Sequence, residues 1–538
     1  MKLNLVGHEY KYAVEQIMLA LFPTERPEYE SAQPSLCELP NNNTNKNQIA
    51  LPNPHQSLPI APSSNINSQL VEADRMAATS RLSYGGTYAQ ATTELLCLGR
   101  LWRGTARIKQ AKLTDKLTSD RLLQRIIKQS FFRAAEKTLA SPPPWGSLTG
   151  IRPAKIIEPM LESGTSENAA MRTLMREYYV SPERALLCAE AARSAISLKR
   201  TLKPRDIALY LGIPFCPTRC TYCSFVSNSV EKSFDLIEPY VETLQHEIQT
   251  MSQTAQELGL RISAIYTGGG TPTSLPAEAL EAIMLSLKAS FDLSHQKEYT
   301  VEAGRPDTIT EEKLRLIKRL GAKRVCINPQ SMSEKALIAI GRKHTPKDII
   351  DAVRLAQSIG LAINMDIIAG LPTDSPEGFR NTLDALMHLR PENITVHTLS
   401  LKKGSRIMLE GTPMPCDANV AEMLEHASRV LREYDYSPYY LYRQKYTSGG
   451  FENVGWSLPG FEGIYNTLMM DDLCTVFALG GGGATKLVLP NGRIERIFNA
   501  KFPREYIMQT GKITEKALRI THEYHRLLPT LDTADATY

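Results

Sequence analysis

The sequence predicts an α/β fold: a partial barrel of parallel strands and crossover helices, with an N-terminal accessory region and a smaller C-terminal domain. Three observations predict it. Six short apolar or β-branched runs recur after residue 205, the segments between them carry helical periodicity, and the chain beyond 410 turns Gly-rich. Strands that alternate with helices pair in parallel through crossovers, and such barrels present their chemistry at the C-terminal ends of the strands. The expected segments are 1–200 (accessory), 203–410 (barrel) and 411–538 (C-terminal domain).

The six runs are DIALYLGI (206–213), ISAIYT (262–267), YTVEAG (299–304), KRVCIN (323–328), AINMDII (362–368) and ITVHTL (394–399). Between them, Val241, Leu244, Ile248 and Met251 share one helical face. Thr308-x-x-Glu311 has the capping-box pattern, followed by Leu314, Ile317 and Leu320 inward and a stop at Gly321. Thr345-Pro346 and Ser375-Pro376 each read as a helix N-cap with proline at the first helical position. Gly449-Gly450 and Gly480 to Gly483 mark turns in the last segment.

The first 200 residues are less regular. MKLNLVGHEYKYAVEQIMLAL lacks the basic flank, apolar run and cleavage site of a secretion signal, and reads as an amphipathic segment. Residues 31–70, rich in Asn, Pro and Ser, read as a disordered insertion. Residues 98–138 hold eleven Lys or Arg against Asp115, Asp120 and Glu136. A solvated helical face explains them most simply; a surface for an anionic substrate or RNA is the sharper alternative. SPPPWGSLTGIRP (141–153) reads as a linker or ordered turn.

Composition sets the class. With 42% hydrophobic and 22% charged residues among 538, the chain reads as an ordinary soluble globular protein. A net charge of +5 is too small to argue for nucleic acid. No stretch approaches the length of an apolar membrane span. Nine cysteines, most of them isolated, suit a reducing compartment, so the cytoplasm is the expected location.

Three of those cysteines fall within LGIPFCPTRCTYCSF (211–225), directly after the first barrel strand. Cys216, Cys220 and Cys223 have spacing that would also fit one face of a buried helix, but Pro214 and Pro217 oppose a helix there. Structural zinc takes four protein ligands, and no nearby His or Cys supplies a fourth. A cubane iron–sulfur cluster needs a thiolate for each iron when it only carries electrons. Three thiolates leave one iron open to an outside ligand.

This Cys-x3-Cys-x-Tyr-Cys loop resembles the signature of radical S-adenosylmethionine enzymes, and TGGGTPTSL (267–275) resembles the motif of their coproporphyrinogen dehydrogenase branch. The resemblance runs over about 203–510, including ALGGGGATKLVLPNGRIERIFNAKFPREY (478–506), and is strongest to the HemZ-type members. It implies a partial (β/α)6 TIM-type barrel, one [4Fe–4S] cluster on Cys216, Cys220 and Cys223, and S-adenosyl-L-methionine as second cofactor. By the same similarity, Tyr210, Tyr222, Gly269, Gly270, Thr271, Glu302, Gln330, Arg342 and Asp366 contact the S-adenosylmethionine, while no single catalytic residue is assigned. The implied reaction is that of an oxidoreductase of porphyrin and haem biosynthesis. A 5′-deoxyadenosyl radical would drive oxidative decarboxylation of coproporphyrinogen III propionates to the vinyl groups of protoporphyrinogen IX. The implied partners are a tetrapyrrole substrate and an electron donor of the flavodoxin or ferredoxin class, with no membrane and no nucleic acid.

Three positions depart from that pattern. Phe225 stands where coproporphyrinogen dehydrogenases carry a fourth cysteine, Gly212 where many relatives have histidine, and Tyr465-Asn466 where haem-carrying relatives have His-Asn. Two other functions therefore remain open: a haem or porphyrin carrier on the same fold, and a radical S-adenosylmethionine enzyme that modifies RNA.

Overall fold

The computed structural model describes residues 1–29, 76–225, 227–400, 405–444, 447–489 and 492–535. The expected insertion at 31–70 lies outside them. The chain forms two compact units: residues 1–149 with 177–179, and residues 150–176 with the chain from Val180 onward. These boundaries differ from the expected ones at 200 and 410.

The first unit is a five-stranded sheet backed by helices. Its strands are β1 (Lys2–Val6), β2 (Glu28–Tyr29), β3 (Ala77–Gly85), β4 (Tyr88–Cys97) and β5 (Arg100–Lys109), in the order β2-β1-β3-β4-β5. β3, β4 and β5 form an antiparallel meander. Its last hairpin turns at Leu98 (φ 50) and Gly99 (φ 69), the left-handed pair that matches the strand twist. Helices Lys11–Leu21 and Lys116–Ala135 bury Val14, Ile17, Met18, Leu123, Ile126, Ile127 and Phe131 in its core. The basic run at 98–138 does not form one helical face. Arg100, Arg103, Arg107 and Lys109 occupy exposed positions of edge strand β5, where charge discourages pairing with another chain.

The second unit is built on an eleven-stranded sheet. β6 (Asp206–Ile213), β9 (Arg261–Gly269), β10 (Glu298–Glu302), β11 (Arg324–Cys326), β12 (Ala362–Ala369) and β13 (Asn393–Thr398) lie side by side in chain order, all parallel. The helices that return the chain between them include Ile237–Glu257, Ala277–Ser290, Glu311–Arg319, Pro346–Ser358 and Pro376–Leu389. Strands covered in this way read as almost continuous burial, as in β6. This is a partial (β/α)6 barrel.

The chain from Ser437 to Phe498 completes both edges of the same sheet. β14 (Ser437–Arg443) and β15 (Glu452–Ser457) add antiparallel beyond β13. β16 (Val476–Leu479) adds parallel to β6, followed by antiparallel β17 (Ala484–Val488) and β18 (Ile494–Phe498). These residues extend the sheet rather than forming a separate one. A short ribbon of β7 (Phe215–Cys216) and β8 (Asn228–Ser229) brackets the loop that carries the three cysteines.

Local signals behave as their chemistry requires, with one correction. Thr345 and Ser375 cap their helices, and Thr345 makes a full capping box with Asp348. The helix expected to start from Thr308 is instead capped by Thr310, whose hydroxyl accepts from Lys313 N. The Thr308 hydroxyl is engaged elsewhere, donating to Arg305 O at 2.8 Å and meeting Thr273 Oγ1 at 2.7 Å.

Candidate functional site

The cysteine loop leaves the C-terminal end of β6. Cys216 and Cys223 are half-buried, Cys220 is buried, and all three are free thiols. Burial raises the Cys216 thiol, and Cys220 raises it further. Cys223 is raised by burial and then by both other sulfurs. Cys216 and Cys223 thus each feel the charge of a neighbouring sulfur; a bound metal deprotonates such ligands outright. Among the described residues no three His, Cys, Asp or Glu side chains surround the centre of a single ion. A cubane, which spreads its thiolates over separate irons, fits this donor set better than one zinc ion does.

The glycine turn at the end of β9 packs against the root of this loop. Gly269 has φ +109 and Gly270 N donates to Ile213 O at 2.7 Å. A Cβ on Gly270 would overlap the Phe215 carbonyl oxygen, so glycine is required there. Thr271 N donates to Phe215 O at 2.7 Å, and Thr271 Oγ1 lies 3.5 Å from Cys216 Sγ. The close approach these glycines make within the chain is to its own backbone beside Cys216.

Further along the C-terminal ends of the strands, the polar candidates converge. Glu302 closes β10, and its Oε1 accepts from the Tyr266 hydroxyl at 2.7 Å. Burial pushes its carboxyl up to about 7, with Asp366 adding to the rise. Asp366 in β12 accepts from Asn364 Nδ2 at 2.9 Å, and its Oδ2 lies 3.8 Å from His397 Nε2. Burial would raise Asp366, but hydrogen bonds from His397, Asn364 and Thr395 and the His397 charge hold it below the usual range. Gln330 sits beside Asp366: its N donates to Asp366 O at 2.9 Å, and its φ of 66 is left-handed for a non-glycine residue. Buried Arg342 donates to Asn328 O at 2.5 Å, Gly304 O at 3.2 Å and Tyr222 Oη at 3.4 Å. Tyr210 lies deeper, 6.4 Å from the Tyr266 ring and 6.3 Å from the Tyr465 ring.

Several atoms of this rim are buried without a partner among the described residues: Asn328 Oδ1, Gln330 Oε1 and Arg342 Nε. A buried polar atom left unpaired is costly. A polar cofactor seated here would supply the missing partners, so these residues fit an amino-acid nucleoside beside a cluster. Cys216, Cys220 and Cys223 are the groups that could hold iron; Glu302, Gln330, Arg342 and Asp366 are those that could hold the nucleoside.

Sequence reasoning missed three neighbours of these residues. Tyr266 is both the hydrogen-bond donor to Glu302 and the ring at 4.7 Å from Tyr465. His397 faces Asp366. Arg305, only 3% exposed, reaches over the cysteine loop to Cys220 Sγ at 3.6 Å. The one available signal was strand alternation, which puts Tyr210 and Tyr266 at paired register positions of adjacent strands. Two departures also gain a physical setting. A Cβ on Gly212 would come 2.9 Å from Gly481 O, and Phe225 is 66% exposed.

The family model described as the radical SAM superfamily matches residues 210–386. The oxygen-independent coproporphyrinogen-III oxidase-like protein HemZ of Bacillus subtilis (strain 168) is 38% identical over 382 residues, covering 70% of this chain and 76% of its own. The heme chaperone HemW of Escherichia coli (strain K12) is 27% identical over 308 residues, covering 57% of this chain and 77% of its own. Among solved structures, coproporphyrinogen III oxidase HemN from Escherichia coli covers 61% of this chain and 72% of its own at 19% identity, with a TM-score of 0.47. No helix among the described residues is long and apolar enough to cross a membrane. The chain is a radical SAM enzyme that uses a [4Fe–4S] cluster and S-adenosylmethionine, and it belongs to the HemZ-like group of oxygen-independent coproporphyrinogen oxidase relatives.

Proposed function

We propose that this enzyme converts coproporphyrinogen III to protoporphyrinogen IX without oxygen. Each of two propionate side chains would lose a hydrogen atom from its β-carbon to the 5′-deoxyadenosyl radical, then carbon dioxide, passing one electron to a one-electron acceptor of the iron–sulfur or flavin class, leaving a vinyl group. The observation that carries the reading is the contact of buried Arg342, whose Nε has no partner among the described residues, with Tyr222 between Cys220 and Cys223. The coproporphyrinogen class is suggested by the 38% identical relative.

When bound, the reduced cluster and S-adenosylmethionine supply a 5′-deoxyadenosyl radical able to abstract hydrogen. The chain's own side chains have simpler tasks. Cys216, Cys220 and Cys223 hold the iron, and Gly269, Gly270 and Thr271 keep the loop in place through Ile213 and Phe215. Arg342 pairs the nucleoside's carboxylate, while Glu302, Asp366 and Gln330 accept from its amino and hydroxyl groups. Tyr222 orients Arg342 through its hydroxyl. Tyr210 walls the barrel interior with Tyr266 and Tyr465. A donor of the flavodoxin or ferredoxin class delivers the electron that starts each cycle.

The test is anoxic turnover of the iron-reconstituted protein with coproporphyrinogen III. Carbon dioxide and vinyl product are expected, and serine at Cys216, Cys220 or Cys223 should abolish both. Deoxyadenosine without either product overturns the assignment. Phe225, in place of a fourth cysteine, favours the carrier reading suggested by the HemW relatives. Tyr465 opposes it, since that ring is buried against Tyr266. Stoichiometric haem binding with no porphyrin conversion would decide for the carrier.

A further inference from the structure

Arg305 is buried at the start of the crossover after β10, and all five of its N–H groups are accounted for. Nη2 donates to Thr218 Oγ1 at 3.0 Å, and Nη1 to Thr218 O at 3.4 Å and Cys220 Sγ at 3.6 Å. Nε and Nη2 face the two oxygens of Asp307 at 3.2 and 3.3 Å. The guanidinium is therefore a fixed plate. One edge grips the Cys216–Cys223 segment, and the other is held by a carboxylate that is 31% exposed. A buried arginine is expensive unless both its hydrogen bonds and its charge are answered. Asp307 answers part of that charge; the rest faces Cys220.

We propose that Arg305 is a positioning residue for the cluster: it fixes the Cys220 sulfur and raises the reduction potential of the iron held there, with Asp307 as its counterweight. The proposal rests on the reading that Cys216, Cys220 and Cys223 hold that cluster. Its physical basis is general. The reduced cluster carries one more negative charge than the oxidised one, so a buried cation and an N–H donor to a ligand sulfur favour reduction. Asp307, by neutralising part of that cation, opposes the effect. Loop anchoring by Thr218 and potential tuning through Cys220 are two consequences of one side chain.

The two carboxylate and guanidinium partners make the test a matter of sign. Redox titration of the reconstituted protein, followed by the magnetic signal of the reduced cluster without S-adenosylmethionine, compares wild type with Arg305→Lys, Arg305→Met and Asp307→Asn. The midpoint should move to more negative potential in Arg305→Met and less far in Arg305→Lys, while Asp307→Asn moves it the opposite way. Iron content should stay near the wild-type level in Arg305→Lys and Asp307→Asn. If Arg305→Met fails to hold iron, those two variants still decide. Unchanged midpoints in both iron-loaded variants, or shifts of the same sign, overturn the proposal. Wild-type protein with no iron signal at all would instead overturn the cluster assignment to these cysteines.

Discussion

The hydroxyl of Tyr266 donates to Oε1 of Glu302 at 2.7 Å, joining adjacent strands at the barrel rim. Burial pushes Glu302 up to about 7, and the Tyr266 bond pulls in the other direction. In Tyr266→Phe the carboxyl climbs further, so at neutral pH less of it is ionised and able to accept from a cofactor amino group. Removing a donor to a buried acceptor costs about 1–3 kcal/mol, or roughly tenfold in binding. Equilibrium dialysis of S-adenosylmethionine against the reconstituted protein should show that weakening near neutral pH, largest on the acid side. The inflection should move to higher pH. Identical pH profiles for the two proteins would contradict the role given to this pair.

Gly270 and Gly304 make a contrasting pair. A Cβ at Gly270 overlaps the Phe215 carbonyl oxygen, whereas at Gly304 the nearest atom is Asn328 Nδ2 at 3.5 Å, an ordinary contact. Gly270→Ala should push the Phe215–Cys216 ribbon outward and reduce iron retained after reconstitution to a small fraction of wild type. Gly304→Ala should retain nearly all of it. Iron assay and visible absorption of the two variants read the difference directly.

A buried ion pair holds the last helix to the barrel. Lys516 Nζ donates to Glu247 Oε1 at 2.8 Å, with both side chains almost wholly buried. Glu247 also accepts from Gly480 N at 2.7 Å, Tyr506 Oη at 2.5 Å and Asn499 Nδ2 at 2.9 Å. Burial alone would raise its carboxyl; Lys516 and these donors together hold it below its ordinary value. Lys516→Met should cost about 3–5 kcal/mol in denaturant unfolding because it strands the carboxylate. Pairing it with Glu247→Gln, which removes the charge but keeps an acceptor for these donors, should recover much of that loss. A single variant as stable as wild type would show that the pair is not needed.

The carboxyl of Glu158 predicts a pH dependence. Burial raises it from 4.5 to about 7, and Asp471, itself raised by burial to about 6, adds to the rise. A carboxyl whose folded value exceeds its unfolded value stabilises while protonated. That contribution is full below about 4.5 and is lost as pH rises through about 7. Glu158→Gln should therefore melt higher than wild type in mildly alkaline buffer and equal to it in mildly acidic buffer. A melting-temperature gap that does not change with pH would contradict the assignment.

What the sequence made legible follows from local physics. ISAIYT falls inside β9 and AINMDII inside β12, because β-branched runs bounded by Gly and polar residues have few other solutions. Val241, Leu244, Ile248 and Met251 are all buried, as the helical period requires. The cysteine loop was legible because its chemistry is written in consecutive residues. Arg305 was not, since its contact with Cys220 spans 85 residues and depends on a side chain reaching back across a loop. The destination of β14 to β18 was hidden for a similar reason. A short apolar strand signals that it will pair, but not with which edge.

The pairing of Val476 with Ala208 has a consequence for how the protein is made. While the ribosome is still adding the chain from Ser437 onward, the six parallel strands can assemble with both rims bare. Such rims attract chaperones or other nascent chains. The loop that carries Cys216, Cys220 and Cys223 hangs from β6, whose outer neighbour is then missing. That cysteine loop therefore reaches its final surroundings only once β16 has paired with β6.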